Sequence, residues 1–460
     1  MKSFYQRKIK NTIIISVILS MGIFGINSCK TKNEEPTPIV VTDTTTAYTA
    51  TRWGKMSLII AERTPGNTPT YASRGFGYIG LTMYESIVGG YSEYKSLAGQ
   101  LNGLATLPKI DTLQKYNWVL SLNAGQAWIH RNIYEQTSNV NKVTIDSLES
   151  KILDEYKTEN QDVIDRSVKY GKDVAKAIFE WSKTDGGYQG YNRNFTTEYI
   201  VPVGQGFWKA PTFSQSASRL PLHPYWGKNR TFAANNGTLP VPKPIPFDRS
   251  PLSQYYAQFL EVYGKNKILT QEEKEIALWW GDDPSRTFTP PGHSYSIANI
   301  AVKTAKPKLI KAAQTFAMVG MSIADAFINC WKAKYTYNAE RPSTYINNNI
   351  DGSWVSFWPE PPFPAFYSGH SVQSGASATV LTNLYGNEFK YLDNSHQGRG
   401  QDPLTFVFYK NRSYNSFWEA AEESAYSRFL GGIHTRSDND TGLSEGRKIG
   451  QNINNLKWKK

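Results

Sequence analysis

The sequence predicts an all-α protein of helix bundles joined by long irregular loops, and three features of the chain support that class. Apolar residues recur at helical spacing at Ile164, Val168, Val174, Ala175, Ile178 and Trp181, and again at Phe316, Ile323, Ala324, Phe327, Ile328 and Trp331. The period-2 alternation of a half-buried strand is scarce. Between about Gly186 and Ser250 the pattern lapses into Pro, Gly, Asn and aromatic residues, as in VGQGFWKAPTF and LPLHPYWGKNRTF. Aromatics at that density seldom stay solvated, so this stretch reads as a long ordered loop or a crossover between two helical halves.

Taken in order, the chain opens with the basic segment MKSFYQRKIK and a mainly apolar run of 14 residues, Ile13 to Ile26. That run is short for a bilayer span and has the form of a signal peptide. INSCK follows and resembles the lipobox of bacterial lipoproteins, which implies a signal peptide over 1–28 and a lipid on Cys29; an uncleaved anchor is the other reading. Residues 29–50 are polar, Thr-rich and Pro-broken and read as a flexible tether. Residues 51–250 read as an N-terminal helical half that includes the aromatic, Pro-rich loop region, and 251–460 as a C-terminal helical half. Either form of the N-terminus predicts export, with the body facing the periplasm or the cell surface.

The formal charge of +12 falls to +8 once Lys2, Arg7, Lys8 and Lys10 of the signal segment are set aside, leaving 47 basic against 39 acidic residues. Those charges are scattered, without a basic run or a nucleic-acid motif, so a nucleic-acid partner is excluded and small anions are favoured. The sequence has two cysteines. With Cys29 lipidated, Cys330 has no partner in the chain, and its apolar helical surroundings make it a small buried hydrophobe.

Three polar blocks lie in the C-terminal half. KYTYNAERP carries Lys334 in the last turn of a helix and Arg341 at the start of an extended X-Pro segment, and both cations can point the same way. Alone, the pair also suits a solvated surface. PPFPAFYSGHSVQSG delivers Ser368, Gly369 and His370 to a helix start whose free N–H groups suit an oxyanion, although an ordinary Ser cap has the same form. In SRFLGGIHTRSD a helix ends near Leu430, and His434 and Asp438 follow, spaced so that the carboxylate can reach one ring nitrogen. Together the blocks supply three cations, a hydroxyl, amides and two histidines. Each cation at about 4 Å would contribute on the order of 4 kcal/mol toward a tetrahedral anion at an effective dielectric near 20.

The three blocks resemble the signature of the type 2 phosphatidic acid phosphatase and vanadium haloperoxidase superfamily, in the same order and with the same internal spacings: Lys334 to Arg341-Pro342, Ser368-Gly369-His370, and Ser427-Arg428 to His434 and Asp438. Tyr367 stands where the signature has proline, and 56 residues separate His370 from Ser427, more than in compact phosphatases. The segments YASRGFGYIGLTMYESI, GFWKAPTF, HPYWGKNRTF and TPPGHSYSIA extend the similarity toward the bacterial haloperoxidase branch, which implies an all-helical, vanadium haloperoxidase-like fold.

The resemblance also implies roles. His434 binds vanadium, oriented by Asp438; Lys334, Arg341, Arg428, Ser368 and Gly369 hold the vanadate oxygens; His370 is the acid-base group; Lys334 polarises peroxide toward halide attack. Trp331 and Phe363 are similar to aromatic residues lining the pocket in that branch, and algal bromoperoxidases carry histidine where Phe363 stands, which leans toward a chloro- or iodoperoxidase-like pocket. The implied activity is an exported haloperoxidase using vanadate, hydrogen peroxide, halide and an organic acceptor. The alternative is an extracytoplasmic acid phosphatase that takes phosphate esters at the same site, with His434 as the nucleophile forming a phosphohistidine. A third reading is a non-catalytic glycan-binding surface lipoprotein. Membrane contact is expected only through the lipid anchor. His130, His223 and His293 are read as structural, His396 lies in the polar loop NSHQGRG, and none of the four receives a role.

Overall fold

The computed structural model describes residues 43–284 and 286–460. The signal segment, Cys29 and the first part of the tether lie outside the described residues. Helix α1, Asp43–Arg63, begins within the stretch expected to be a tether, and Ala47, Thr49 and Ala50 on it are buried. The helical body therefore starts ahead of residue 51. Thr-rich composition hid a helix whose Ala47, Ala50 and Trp53 recur at helical spacing, with the Trp53 indole N–H donating to Asn123 Oδ1 at 3.0 Å.

The chain continues through α2 (Pro69–Glu85), α3 (Trp118–Ile133), α4 (Asn139–Asp154), α5 (Gln161–Ser182), α6 (Ala234–Gly237), α7 (Gln254–Lys267) and α8 (Gln271–Trp279). Then come α9 (Thr289–Ala305), α10 (Leu309–Tyr337), α11 (Pro342–Asn349), α12 (Gly369–Tyr385), α13 (Phe417–Leu430) and α14 (Arg436–Asn454). Among the described residues the sheet is a single short antiparallel pair, β1 (Tyr391–Asp393) and β2 (Arg412–Tyr414), with Tyr391 opposite Tyr414. The protein is all-α. No described helix is long and apolar enough to cross a membrane.

Helix α10 is the axis of the fold. Its sequence is apolar on nearly every face, and its side chains are buried almost without interruption from Leu309 to Lys334, the state such a helix requires. It packs against α2, α12, α9, α14 and α1, while α3 packs on α5 and α12 on α14, and the described residues fall in one compact unit. The α2–α10 contact depends on missing side chains. A Cβ on Gly80 would stand 2.3 Å from the Phe316 carbonyl oxygen, and one on Gly320 would stand 2.3 Å from that of Phe76, so the two backbones touch reciprocally.

The irregular stretch after α5 is ordered, as its aromatic content implied, and it is fastened to α10 by a buried carboxylate. Asp325 accepts hydrogen bonds from Phe232 N at 2.7 Å, Ala233 N at 3.1 Å and Asn236 Nδ2 at 2.8 Å. Burial raises its pKa to about 7 against those three donors. Further along, Trp331 Nε1 and Tyr335 Oη both donate to the Leu222 carbonyl, and Trp208 N donates to Asn338 O. Gln215 N and Leu222 N reach the carbonyls of Glu360 and Pro362. Chain from the first half thus lies over the segments that carry the polar blocks of the second. Gly80→Ala is expected to destabilise the protein by about 1–3 kcal/mol through overpacking at α10, measured by equilibrium urea unfolding. An unchanged midpoint would show that the helices separate without cost.

Candidate oxyanion site

The three blocks meet at one end of a cavity of about 610 Å³, whose lining includes Gly369, His370, Arg428 and His434 beside Trp331 and Phe363. Lys334, Arg341, Ser368 and Asp438 stand behind that lining. The predicted site residues Lys334, Arg341, Ser368, Gly369, His370, Arg428, His434 and Asp438 are therefore brought together, although Lys334 and Asp438 are more than a hundred positions apart in the chain.

Lys334 is fully buried in the last turns of α10, and its ammonium donates to the carbonyls of Pro364 at 2.9 Å, Ala365 at 2.7 Å and Tyr367 at 2.8 Å. All three of its N–H bonds are thus used by the chain, and it acts on the cavity through its charge. Asn338, at φ 48°, ends α10 in a left-handed turn, and Arg341 then takes the extended N-cap position of α11 with Pro342 at the first helical position. From there Arg341 Nε donates to Phe363 O and Nη1 to Ile433 O, both at 2.9 Å. Tyr367, in place of the signature proline, serves through its main chain: its carbonyl also accepts from Cys330 Sγ at 3.3 Å. Cys330 is fully buried, as expected, and burial pushes its thiol up to about 11.

Ser368 is the N-cap of α12, its hydroxyl accepting from Ser371 N at 3.3 Å, so the free amides of Gly369 and His370 open the helix at the cavity. A Cβ on Gly369 would meet only the Trp331 ring, at 3.8 Å, so a ligand can approach this backbone closely. His370 donates one ring nitrogen to the Trp280 carbonyl, while Nε2, buried, has no protein partner. Arg428, in the last turn of α13, donates Nη1 to the same carbonyl at 3.0 Å, and its Nε is also buried without a partner. Both residues line the cavity, where Arg428 Nε–H can donate to an anion's oxygen and His370 Nε2 can accept from a protonated one.

Gly432, at φ 73°, reverses the chain after α13 and turns His434 inward. Asp438 Oδ2 accepts from His434 Nδ1 at 2.9 Å and from Thr435 N at 3.4 Å, so one carboxylate both orients the imidazole and completes the capping box of α14. Arg341 Nη1 stands 3.3 Å from His434 Nε2. That pairing sets the tautomer, with the proton on Nδ1 and the lone pair on Nε2. Burial, then Arg341, Lys334 and Arg428, push the His434 pKa well below its ordinary value; burial and Arg428 do the same to His370. Burial lowers Lys334 to about 8 and both arginines to about 10, opposed by neighbouring acidic groups, and the Arg341 charge adds to the effect on Lys334 and Arg428.

Sequence reading missed two contributors. Asp283 lines the cavity beside Arg428, and burial raises its carboxyl to about 6 against the pull of that guanidinium. The adjacent acids in WWGDDP, set among apolar residues, were the available signal. The first half of the chain also supplies Thr68, Asn194, Phe195 and Ser214 to Ser216 to the cavity wall, for which no local pattern exists. The His130 and His223 rings are structural: His130 contacts Ser57 Oγ and Gln126 O, and His223 contacts Thr70 Oγ1 and Gly190 O.

Fold and site together define an α-helical enzyme class built around a buried cationic oxyanion pocket, and comparison with known proteins places the chain within it. A model of the VCPO second helical-bundle domain matches residues 314–359 and 348–458. A bacterial vanadium-dependent iodoperoxidase of known structure is 30% identical, with a TM-score of 0.79, covering 90% of this chain and 97% of its own. A holo-type bacterial vanadium-dependent chloroperoxidase shares the fold at 14% identity, with a TM-score of 0.63, over 92% of this chain and 94% of its own. Vanadium chloroperoxidase of Curvularia inaequalis is 24% identical over 214 residues, and that match spans 35% of each chain. The chain belongs to the vanadium-dependent haloperoxidase and type 2 phosphatidic acid phosphatase superfamily, in its bacterial haloperoxidase-like branch.

Asp438→Asn is expected to weaken orthovanadate binding roughly 10- to 100-fold by releasing the His434 tautomer. Isothermal titration calorimetry measures this, and an unaltered affinity would remove Asp438 from the orienting role.

Proposed function

We propose that this enzyme is an exported, vanadate-dependent haloperoxidase that oxidises halide with hydrogen peroxide to hypohalous acid, which then halogenates an organic acceptor. The observation that carries the reading is that Gly369, His370, Arg428 and His434 line one cavity, with Lys334 and Arg341 bonded to the segments that bear that lining and buried His370 Nε2 and Arg428 Nε lacking protein partners. The 30% identity to a vanadium-dependent iodoperoxidase along nearly the whole chain supports the same chemistry here.

The residues fit vanadate. His434 Nε2 has its lone pair directed away from Asp438 and would be the ligand; Arg341, Arg428 and the Ser368–Gly369 turn would hold the oxygens, and Lys334, its N–H groups committed to carbonyls, would balance their charge. Bound vanadate supplies Lewis-acid activation of peroxide toward halide. His370 accepts the peroxide proton at Nε2, its other nitrogen being committed to the Trp280 carbonyl. Trp331 and Phe363, with ring centroids 4.8 Å apart, form an aromatic wall without a hydrogen-bonding group at the Phe363 position, which favours a large polarisable halide such as iodide.

Purified protein is to be assayed with and without orthovanadate for peroxide-dependent iodide oxidation and for aryl phosphate hydrolysis. Iodide oxidation that requires orthovanadate is expected. Aryl phosphate hydrolysis inhibited by vanadate, without iodide oxidation, would instead assign His434 as the nucleophile of a phosphatase. Localisation has its own test: Cys29→Ser should move the protein from the membrane fraction to the soluble fraction of the producing bacterium, and continued membrane association would argue for an uncleaved anchor.

A further inference from the structure

A second cluster of ligand-forming side chains lies outside the oxyanion pocket. Asp282, His293 and His396 each offer an atom, all within 4.8 Å of one another, from three parts of the chain: the turn after α8, the second turn of α9 and the segment after β1. All three residues are buried, at 2%, 0% and 1% exposure. Asp282 divides its oxygens between the two rings, with Oδ2 at 2.7 Å from His293 Nδ1 and Oδ1 at 3.0 Å from His396 Nε2.

The second of these contacts lacks hydrogen-bond alignment. Asp282 Oδ1 and both ring nitrogens of His396 are buried without a hydrogen-bond partner. Buried polar atoms are rarely left so, and two such atoms facing each other at this separation call for a third party. Atoms bonded at about 2.0–2.2 Å to one tetrahedral metal ion stand roughly 3.3–3.6 Å apart, a few tenths of an ångström beyond the 3.0 Å between these two. The far side of His293 has the matching support: its Nε2 donates to Asp393 Oδ2 at 2.8 Å. Asp393 is in turn fixed by Trp279 Nε1 at 2.9 Å, Ser395 N at 3.0 Å and Ser395 Oγ at 2.6 Å. A carboxylate that receives the outer N–H of an imidazole is the arrangement that orients a metal-binding histidine.

Charge favours the same occupant: two buried carboxylates, Asp282 and Asp393, face this cluster, and a divalent ion offsets them. We propose that Asp282, His293 and His396 bind a divalent first-row metal ion of the zinc class, separate from the oxyanion site, with Asp393 as the orienting partner. Two imidazoles and a carboxylate suit that class. Binding forms the His293 Nδ1–metal bond and releases one proton to solvent. The ion fastens the Trp280–Asp283 turn to α9 and to the segment after β1, and Trp280 is the residue whose carbonyl holds both His370 and Arg428.

The test uses the full-length purified protein. Metals are counted by inductively coupled plasma mass spectrometry, vanadium separately, and chelator-stripped protein is then titrated with zinc chloride by calorimetry and thermal melting. One equivalent of zinc per chain and a raised melting temperature are expected in the wild type and in His434→Ala, which removes an imidazole of the other site. At least a tenfold weaker zinc affinity is expected in His396→Ala and in Asp282→Asn. Cobalt in place of zinc should give the visible absorption of a nitrogen- and oxygen-ligated ion in the wild type, a readout that holds even if a variant fails to fold. Wild-type protein that binds neither zinc nor cobalt, or zinc binding equal in His396→Ala, would overturn the proposal and leave His293 as an imidazolium bridge.

Discussion

Three cations, Lys334, Arg341 and Arg428, are buried at 0%, 0% and 1% exposure, and the structure around them is organised by how their N–H groups are satisfied. Their hydrogen-bond partners are chiefly main-chain carbonyls, those of Pro364, Ala365 and Tyr367 for Lys334, of Phe363 and Ile433 for Arg341 and of Trp280 for Arg428. A carbonyl accepts a hydrogen bond without cancelling the charge. Paired carboxylates would have neutralised the pocket and left nothing for an anion to gain. Burial consequently weakens the hold of all three groups on their protons, and a bound oxyanion would reverse that cost.

This requirement explains several loops that secondary-structure propensity does not. The PPFPAFY approach must present carbonyls inward over consecutive residues, and a proline-rich segment, poor in amide donors of its own, does so without demanding partners for them. The left-handed Asn338 and Gly432 serve the same end, since each turns the chain so that Arg341 or His434 points into the interior instead of continuing a helix. Asp438 joins the local and the functional demands in one group: it caps α14 and aims His434, so the helix start and the site have a common origin.

Much of this was legible in the chain. The spacings Lys334–Arg341 and Arg428–His434–Asp438 are short enough that local geometry fixes their mutual reach, and Ser368 was readable as a cap because N-capping is decided within four residues. α10 was visible because its apolar residues repeat. By contrast, the start of α1 was hidden beneath a threonine-rich composition, and His293 and His396 looked ordinary because their partners, Asp282 and Asp393, lie up to about a hundred positions away.

The sequence by itself determined the helical class, the caps and the identities of the candidate site groups, since each depends on periodicity or on contacts a few residues apart. Tertiary structure alone decided that those groups share one cavity, that chain from the first half walls it, and that Asp283 and the Asp282–His293–His396 cluster stand beside it. Those facts rest on packing α10 against α2 and α12 and on the carbonyls that enclose the buried cations, contacts between distant segments for which no local pattern carries a signal.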